Sequence, residues 1–492
     1  MKQMIPSLTE AKELAKSAEG RLIPVALTLF SDCVTPVGLL QILKAKSSHC
    51  FLLESVEGGR RWSRYSLLGF SPKLELTCHD CVVTLKGYRN ETIRTDAPAE
   101  VVREVLKEHK SCPVPGMPPF TGGLVGSFAY DYIRYVEPVL QQTEPKDDCW
   151  KELDLMLFDQ VAVFDHEKQQ LFLICHIPSD RVEEAYPKAE EQLKELAYLV
   201  QRGAKKQFLP PKRLTPFQPL FSKEEFCQMV ERAKEYIKEG DIFQVVLSNR
   251  LTAGFCGSLF DVYRVLRTTN PSPYMFYFVS DQLELAGASP ETLVKVINGK
   301  AYTYPLAGSR PRGKTEEEDK ALEQELLADE KENAEHNMLV DLGRNDMGKI
   351  SRFGTVQVEQ YRTVEKYSHI MHIGSTVSGQ LREDCDAMDA IHAILPAGTL
   401  SGAPKIRACQ IIQELEGENR GVYGGAIGYL DFNGNLDTCI AIRLAYAKDG
   451  KLHIRSGAGI VYDSVPEKEF EECINKAKAV VEAVEQAEEG IL

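Results

Sequence analysis

The chain has 492 residues, 43% of them hydrophobic and 26% charged, enough for two large domains with ample cores. Its 58 Lys and Arg against 72 Asp and Glu leave a formal charge of -14, which argues against nucleic acid and anionic membrane as general partners. Any anionic small molecule must therefore be met by local cations or a metal.

Thirteen scattered cysteines, an odd number, look like reduced thiols. The opening Met1-Lys2-Gln3-Met4-Ile5-Pro6 has no leader pattern, and no apolar run is long enough to span a bilayer, so the expectation is a cytoplasmic protein. Strand-like runs at 50–53, 155–164 and 170–177 alternate with isolated helices in the N-terminal part. Cys78-His79-Asp80-Cys81, between alternating segments at 74–77 and 82–86, reads as a hairpin turn, since no second pair completes a zinc site. A proline-rich connector at 112–119 leads into Phe120-Thr121-Gly122-Gly123-Leu124-Val125-Gly126. This has neither dinucleotide nor Walker spacing and reads as a bent strand close to another backbone. Residues 201–221, where Pro210, Pro211, Pro216 and Pro219 mix with basic side chains, read as a linker. They divide an N-terminal domain, 1–200, from a C-terminal one, 222–490.

The second half begins with an amphipathic helix from Phe221-Ser222-Lys223-Glu224 to Glu239, closed by Gly240, then a short buried strand at 242–247 whose polar side chain is Gln244. Asn270-Pro271-Ser272-Pro273-Tyr274-Met275 pins an extended turn before a strand at 275–279. One long helix is expected over 316–346, charged at first and apolar around Met338-Leu339-Val340. Glu332-Asn333-Ala334-Glu335-His336 lacks the second histidine of a zinc peptidase helix. His369 and His372 read as one buried and one functional imidazole rather than joint metal ligands.

Near the end, runs at 422–430, 436–447 and 451–462, separated by Asn433-Gly434 and Asp449-Gly450, predict a three-stranded antiparallel meander. Arg443 lies on its small-residue face, and Gly457-Ala458-Gly459 marks a bulge or a close approach. Ser464-Val465-Pro466-Glu467 predicts a capping box opening a helix. The apolar stripe of that helix is Phe470, Cys473, Ile474, Ala477, Val481 and Val484. Glu472 and Lys476 pair on the other side, either as a solvated salt bridge or facing a cleft. Glu335 and Glu472 brought together would make a hard, all-oxygen site suited to Mg²⁺. Hairpins with helices between them make the class α+β.

Leu52-Leu53-Glu54-Ser55, Pro271-Ser272-Pro273-Tyr274-Met275, Gly287-Ala288-Ser289-Pro290-Glu291, Pro305-Leu306-Ala307-Gly308-Ser309-Arg310, Ala334-Glu335-His336-Asn337-Met338-Leu339-Val340-Asp341, Pro396-Ala397-Gly398-Thr399-Leu400-Ser401-Gly402-Ala403-Pro404-Lys405 and Gly457-Ala458-Gly459 together resemble the chorismate-utilising enzymes, most of all the large subunits of anthranilate synthases. The resemblance spans nearly the whole chain. It implies two antiparallel β-sheets packed as a sandwich and flanked by helices, with an N-terminal subdomain. It also implies Mg²⁺ on Glu335 and Glu472, and chorismate contacts at Gly308, Ser309, Tyr423, Arg443, Gly457, Ala458, Gly459 and Lys476. Glu291 would be general acid to the leaving hydroxyl, His372 the base that takes the ring proton, and Thr399 a positioning group, with ammonia as nucleophile.

Two positions discriminate within the family. Isochorismate- and salicylate-forming relatives carry a water-activating lysine where this chain has Gln244. Aminodeoxychorismate synthases carry a lysine in Pro-Ile-Lys-Gly-Thr where this chain reads Pro305-Leu306-Ala307-Gly308-Ser309. Both favour anthranilate formation, with Ser309 standing in for the commoner threonine. The resemblance further implies an inhibitory L-tryptophan site at Glu54, Ser55, Pro273, Tyr274 and Met275, joining the two domains. No cysteine nucleophile elbow is present, so glutamine-derived ammonia implies a separate glutamine amidotransferase subunit. The alternatives are an aminodeoxychorismate synthase subunit and a catalytically idle tryptophan sensor.

Overall fold

Turn chemistry fixes the strand connections before any long-range contact forms. Asp80 and Cys81 adopt φ of 51° and 62° between Leu74–His79 and Val82–Gly87, forming a two-residue turn. The same device, Asp449 at φ 49° and Gly450 at φ 71°, joins Leu444–Lys448 to Lys451–Ile460. The computed structural model describes residues 3–18, 21–55, 64–140, 150–281, 283–366 and 370–490; His369 lies outside them.

The strands form two antiparallel sheets, as the resemblance implied. The 14-stranded sheet runs from Gln3–Ile5 and Leu22–Phe30 through Tyr65–Phe70 and Cys50–Glu54 to Tyr274–Val279 and Glu284–Ser289. It ends with Leu444–Lys448, Lys451–Ile460, Gln244–Cys256 and Lys212–Arg213. The 12-stranded sheet runs from Leu306–Pro311 and Ile370–Gln380 through Thr292–Ile297, Leu436–Ile440 and Ala426–Asp431 to Gly123–Phe128, Leu153–Phe158 and Leu74–His79. Each sheet joins early and late parts of the chain. Met275 pairs with Glu54 in the first, and Gly428 pairs with Gly126 in the second. Part of the proline-rich stretch, Lys212–Arg213 and Gln218–Pro219, is itself stitched to Gln244–Cys256.

Between the sheets lie Phe51, Phe120, Phe158, Phe276, Leu285, Ile427 and Leu444, with Phe51 and Phe158 edge-to-face at 4.8 Å. Each such side chain contributes about 1.5–3 kcal/mol by leaving water. Helices Val182–Arg202, Phe260–Thr269 and Pro466–Glu489 cover the outer face of the first sheet. Helices Pro98–Glu108, Glu330–Ile350 and Ala387–Ile394 cover the second. The glycine-rich run lies against another strand: a Cβ on Gly126 would sit 2.0 Å from the Asp154 carbonyl oxygen.

Several local expectations are corrected. The middle strand expected at 436–447 is two strands, Leu436–Ile440 and Leu444–Lys448, which belong to different sheets. The break falls at Arg443, whose φ of 50° reverses the pleat. The helix expected over 316–346 is two, Glu316–Ala328 and Glu330–Ile350, because Asp329 stops the first and its carboxylate caps the second at the Lys331 and Glu332 amides. Ser464 does not cap Pro466–Glu489. Its hydroxyl accepts from the Val461 amide, and Val465 occupies the cap position. That helix buries Val480 and Ala483 in addition to Cys473, Ala477 and Val484, leaving Ile474 exposed. The strand expected at 242–247 runs instead over Gln244–Cys256, and Phe243 projects 74% exposed.

Candidate active site

Two chain segments switch from one sheet to the other side by side, and the site forms there. The first leaves Glu284–Ser289, turns through Pro290 and Glu291 and enters the second sheet as Thr292–Ile297. The second runs the other way, from Leu436–Ile440 through Arg443 into Leu444–Lys448. They hold each other: the Ile440 amide donates to the Glu291 carbonyl at 2.9 Å, the Ala288 amide to the Arg443 carbonyl at 3.1 Å, and Ser289 Oγ to the Ile440 carbonyl at 2.7 Å. A cavity of about 790 Å³ opens at this crossing, lined there by Glu291, Ile442 and Arg443.

Its walls bring together residues from across the sequence. Gln244, Glu291, Thr399, Tyr423, Arg443, Gly457, Gly459 and Lys476 line it, together with Glu335 and Glu472 on two facing helices. The glycine strand makes room for polar groups: a Cβ on Gly459 would meet the Gln244 Nε2 at 2.7 Å, and one on Gly457 the Tyr423 hydroxyl at 3.0 Å. Ala458, pointing the opposite way by strand alternation, is buried in an apolar cluster with Phe226 and Val245 and does not line the cavity. Gly308, Ser309 and His372 also lie outside its lining. Ser309 is exposed. The imidazole donates from Nδ1 to the Gly308 carbonyl at 2.8 Å, which ties His372 to the strand Leu306–Pro311.

The electrostatics divide the cavity. Burial raises the Glu291 carboxyl above the usual carboxylate range, opposed by Arg443, by the Thr399 hydroxyl donating at 3.2 Å and by Lys476. Burial lowers His372, helped by Arg443 and opposed by the Gly308 carbonyl, so the ring is neutral near pH 7 with its proton on Nδ1. Across from them the walls are acidic. Glu335 is raised by desolvation and by Glu332 and Glu472, against Lys331 and Lys476. Glu469 is raised by desolvation and by Glu472, against Ser464, Lys476 and Lys331. Lys476 spans the divide, 2.7 Å from Glu472 Oε1 and donating to the Gly457 carbonyl at 3.2 Å. The Glu472–Lys476 pair is thus both a salt bridge and part of the cavity wall. His336, next to Glu335, turns away: it is fully buried, bonded to Ser375 Oγ at 2.6 Å and pushed down to about 4 by desolvation.

Sequence reasoning missed Lys331 and Glu469 among the lining residues and Glu332 beside them. The signal was present, since Glu332 and Glu469 each stand three residues before Glu335 and Glu472 and share their helix faces.

The residues singled out for tryptophan lie at the join of the two chain parts. The Glu54 carboxylate is buried and accepts from Ser66 Oγ at 2.9 Å, Tyr263 hydroxyl at 2.5 Å and Arg267 Nε at 2.9 Å. Met275 stands beside it in register, Pro273 and Ser55 flank that pair in sequence, and the Tyr274 hydroxyl crosses to Asp437 Oδ1 at 2.8 Å and Thr292 Oγ1 at 3.0 Å in the other sheet.

A family profile described as chorismate binding enzyme matches residues 48–482. The anthranilate synthase component 1 of Acetivibrio thermocellus is 46% identical, covering 98% of this chain and 99% of its own, and that of Thermus thermophilus is 46% identical, covering 96% and 100%. The crystal structure of anthranilate synthase component I from Streptococcus pneumoniae superposes with a TM-score of 0.76 at 41% identity, over 85% of this chain and 92% of the other. The menaquinone-specific isochorismate synthase of Escherichia coli, at 20% identity and a TM-score of 0.70 over 97% and 100%, shares the fold. With sequence, fold and cavity in agreement, the chain belongs to the chorismate-binding enzymes, within their anthranilate synthase component 1 branch.

Proposed function

We propose that the chain turns chorismate and ammonia into anthranilate and pyruvate, the first step of tryptophan biosynthesis. The observation that carries this reading is Gln244, an amide in the cavity wall, where the resemblance implies a lysine in water-activating relatives. An amide cannot deprotonate water at neutral pH, whereas free ammonia needs no base to attack.

Arg443 and Lys476 supply the charge that draws a dicarboxylate into an acidic protein. The bond from nitrogen to the ring forms as the ring carbon–hydroxyl bond breaks, and Glu291, whose proton affinity burial raises, donates the proton that lets the hydroxyl leave as water. His372, neutral and tied to the Gly308 carbonyl outside the cavity lining, would take the ring proton from a substrate that extends to it. As that proton leaves, the bond between the ring carbon and the enolpyruvyl oxygen breaks, the released enolpyruvate takes up a proton to become pyruvate, the ring nitrogen gives its extra proton to water, and the ring becomes aromatic. Thr399 holds the Glu291 carboxyl in place.

Magnesium suits the opposite wall, where desolvation, Glu332 and Glu472 raise the proton affinity of Glu335, and desolvation and Glu472 that of Glu469, with Lys331 and Lys476 as the nearby cations. Glu335 and Glu472 would hold it, and when bound it would neutralise a ring carboxylate and draw electrons from the ring. Ammonia would come from glutamine through a separate amidotransferase subunit. Tryptophan would bind between Glu54-Ser55 and Pro273-Tyr274-Met275 and inhibit by biasing the packing of the strands that meet there.

The test is an assay of the purified chain with chorismate, ammonia and Mg²⁺, read by anthranilate fluorescence with and without tryptophan. Anthranilate formation that tryptophan suppresses supports the reading. An aminodeoxychorismate product, or tryptophan binding with no turnover, overturns it.

A further inference from the structure

At the back of the cavity, whose lining includes Arg455, and outside the residues given any chemical role above, lies a fully buried ionic cluster. The Glu416 and Arg420 side chains, at the end of helix Lys405–Glu416 and in the loop after it, have no exposure at all, and neither has that of Arg455 on Lys451–Ile460. The Glu416 carboxylate accepts from the Ser248 amide at 2.8 Å, Ser248 Oγ at 2.9 Å, Arg420 Nη2 at 2.5 Å, Arg420 Nε at 2.9 Å and Arg455 Nη2 at 2.7 Å. Arg455 also donates from Nε to Ser248 Oγ at 2.8 Å and from Nη1 to Glu418 at 2.6 Å.

Arg420 is the member that reaches the reacting end. Its Nη1 donates to the Leu400 carbonyl and its Nη2 to the Val246 carbonyl, each at 2.6 Å, and its guanidinium lies over the Tyr130 ring at 4.6 Å. Leu400 follows Thr399, which hydrogen-bonds Glu291. Val246 stands two residues beyond Gln244. A planar, five-donor group fixed by a carboxylate can hold two carbonyls and that carboxylate in one geometry; an ammonium is a point charge and cannot reproduce the fork.

We propose that Arg420, clamped by Glu416, is a positioning residue for the reaction: it sets the segment bearing Thr399 against the strand bearing Gln244, and thereby aims the proton-donating carboxyl of Glu291. This rests on the reading of Glu291 as general acid. A buried ion pair that served only to hold the fold would need neither of the two carbonyl bonds to cavity-lining segments.

The experiment measures ammonia-dependent turnover of Arg420→Lys against pH at a fixed concentration of free ammonia, with circular dichroism to establish the fold. The wild-type profile is recorded first. If the wild-type chain makes no anthranilate, the functional reading fails, whatever the variant does. Given wild-type turnover, kcat should fall by about 100-fold, the cost of a small misplacement of a reacting group, while KM for chorismate holds.

The alkaline limb of kcat should also move to higher pH. Glu291 faces Arg443 and Lys476 in both proteins, so what changes is the Thr399 hydroxyl that stabilises its charged form. Thr399→Val should move the limb the same way, and adding it to Arg420→Lys should produce no further shift. Should Arg420→Lys fail to fold, Ser248→Ala carries the test, because it removes one hydroxyl that braces Glu416 and Arg455 and leaves the guanidinium in place. Its limb should move in the same direction by less. An unmoved limb in whichever variant folds, or additive shifts in the double variant, overturns the proposal.

Discussion

Glu291 is half-buried in the cavity lining and Glu416 is wholly buried in the ionic cluster at its back, and their proton affinities move in opposite directions. Burial raises Glu291, with Arg443, the Thr399 hydroxyl and Lys476 opposing but not cancelling it. Burial also acts to raise Glu416, yet Arg420, Arg455 and Ser248 overcome it and hold that carboxyl below the usual range. The difference lies in donors. Glu416 accepts from five that are themselves fixed by other bonds, whereas Glu291 faces a cavity built to admit a ligand. Desolvation alone makes an acid; a preformed nest of donors makes a fixed charge. The first is useful for moving a proton and the second for holding backbone.

The contrast breaks if the two glutamates respond alike to the same substitution. Glu291→Gln removes the proposed proton donor and should lower kcat by about 10²–10⁴-fold with no loss of thermal stability, since it replaces a carboxyl that gains little from its surroundings. Glu416→Gln should do the reverse in emphasis, leaving two buried guanidinium groups short of their counter-charge and destabilising the fold by about 3–5 kcal/mol in urea unfolding. Equal losses of stability would mean that both carboxyls are structural.

Stability against pH sharpens the same contrast at smaller amplitude. Glu416 has a depressed folded pKa, so its contribution is present above its unfolded value of 4.5 and is lost as pH falls through the folded value. Glu291 has a raised one, so its contribution is present below 4.5 and is lost as pH rises through the folded value. Melting curves of the two variants and the wild type should therefore diverge on opposite sides. Glu291→Gln gains on the wild type as pH rises above 4.5, and the deficit of Glu416→Gln narrows as pH falls below it. Each slope is bounded at about 1.4 kcal/mol per pH unit for one proton.

These differences also show what a sequence can disclose. Local rules read well where the chain obeys them: Gly240 ends its helix at φ 84°, and the Asp449-Gly450 turn lies where its residues demand. They fail where tertiary structure intervenes. Alternation through 439–445 gives a continuous strand, but Arg443 reverses the backbone so that each half joins a different sheet. Ser464 has the spacing of a cap and spends its hydroxyl on Val461. The two-sheet sandwich was legible from long motifs and not from periodicity. The acidic wall was half legible, through Glu335 and Glu472, while Glu332 and Glu469 needed only the helix repeat. Glu416, Arg420 and Arg455 offered no such signal, because a charged residue in sequence looks solvated until folding removes its water.

The smallest expected effect tests whether a third tie, Tyr274 to Asp437 and Thr292, belongs with the fixed charges or with the working site. Its hydroxyl joins the sheets one residue from Glu291, on a strand that also pairs with Glu54. Tyr274→Phe leaves Asp437 bound to Lys295 at 2.6 Å, so the stability cost should be about 1 kcal/mol, the worth of one ordinary hydrogen bond. If the tie only fastens the layers, the inhibition proposed for tryptophan is unchanged. If it carries the coupling between Glu54 and Glu291, basal kcat should stay near wild type while the tryptophan concentration for half-inhibition rises about fivefold, the equivalent of that same energy. The reason to expect the second outcome is geometric. Tyr274 pairs in register with Ser289, and Ser289 Oγ holds the Ile440 carbonyl at the sheet crossing, where the Ile440 amide holds Glu291, so a shift of this strand reaches Glu291 through two bonds rather than through the core.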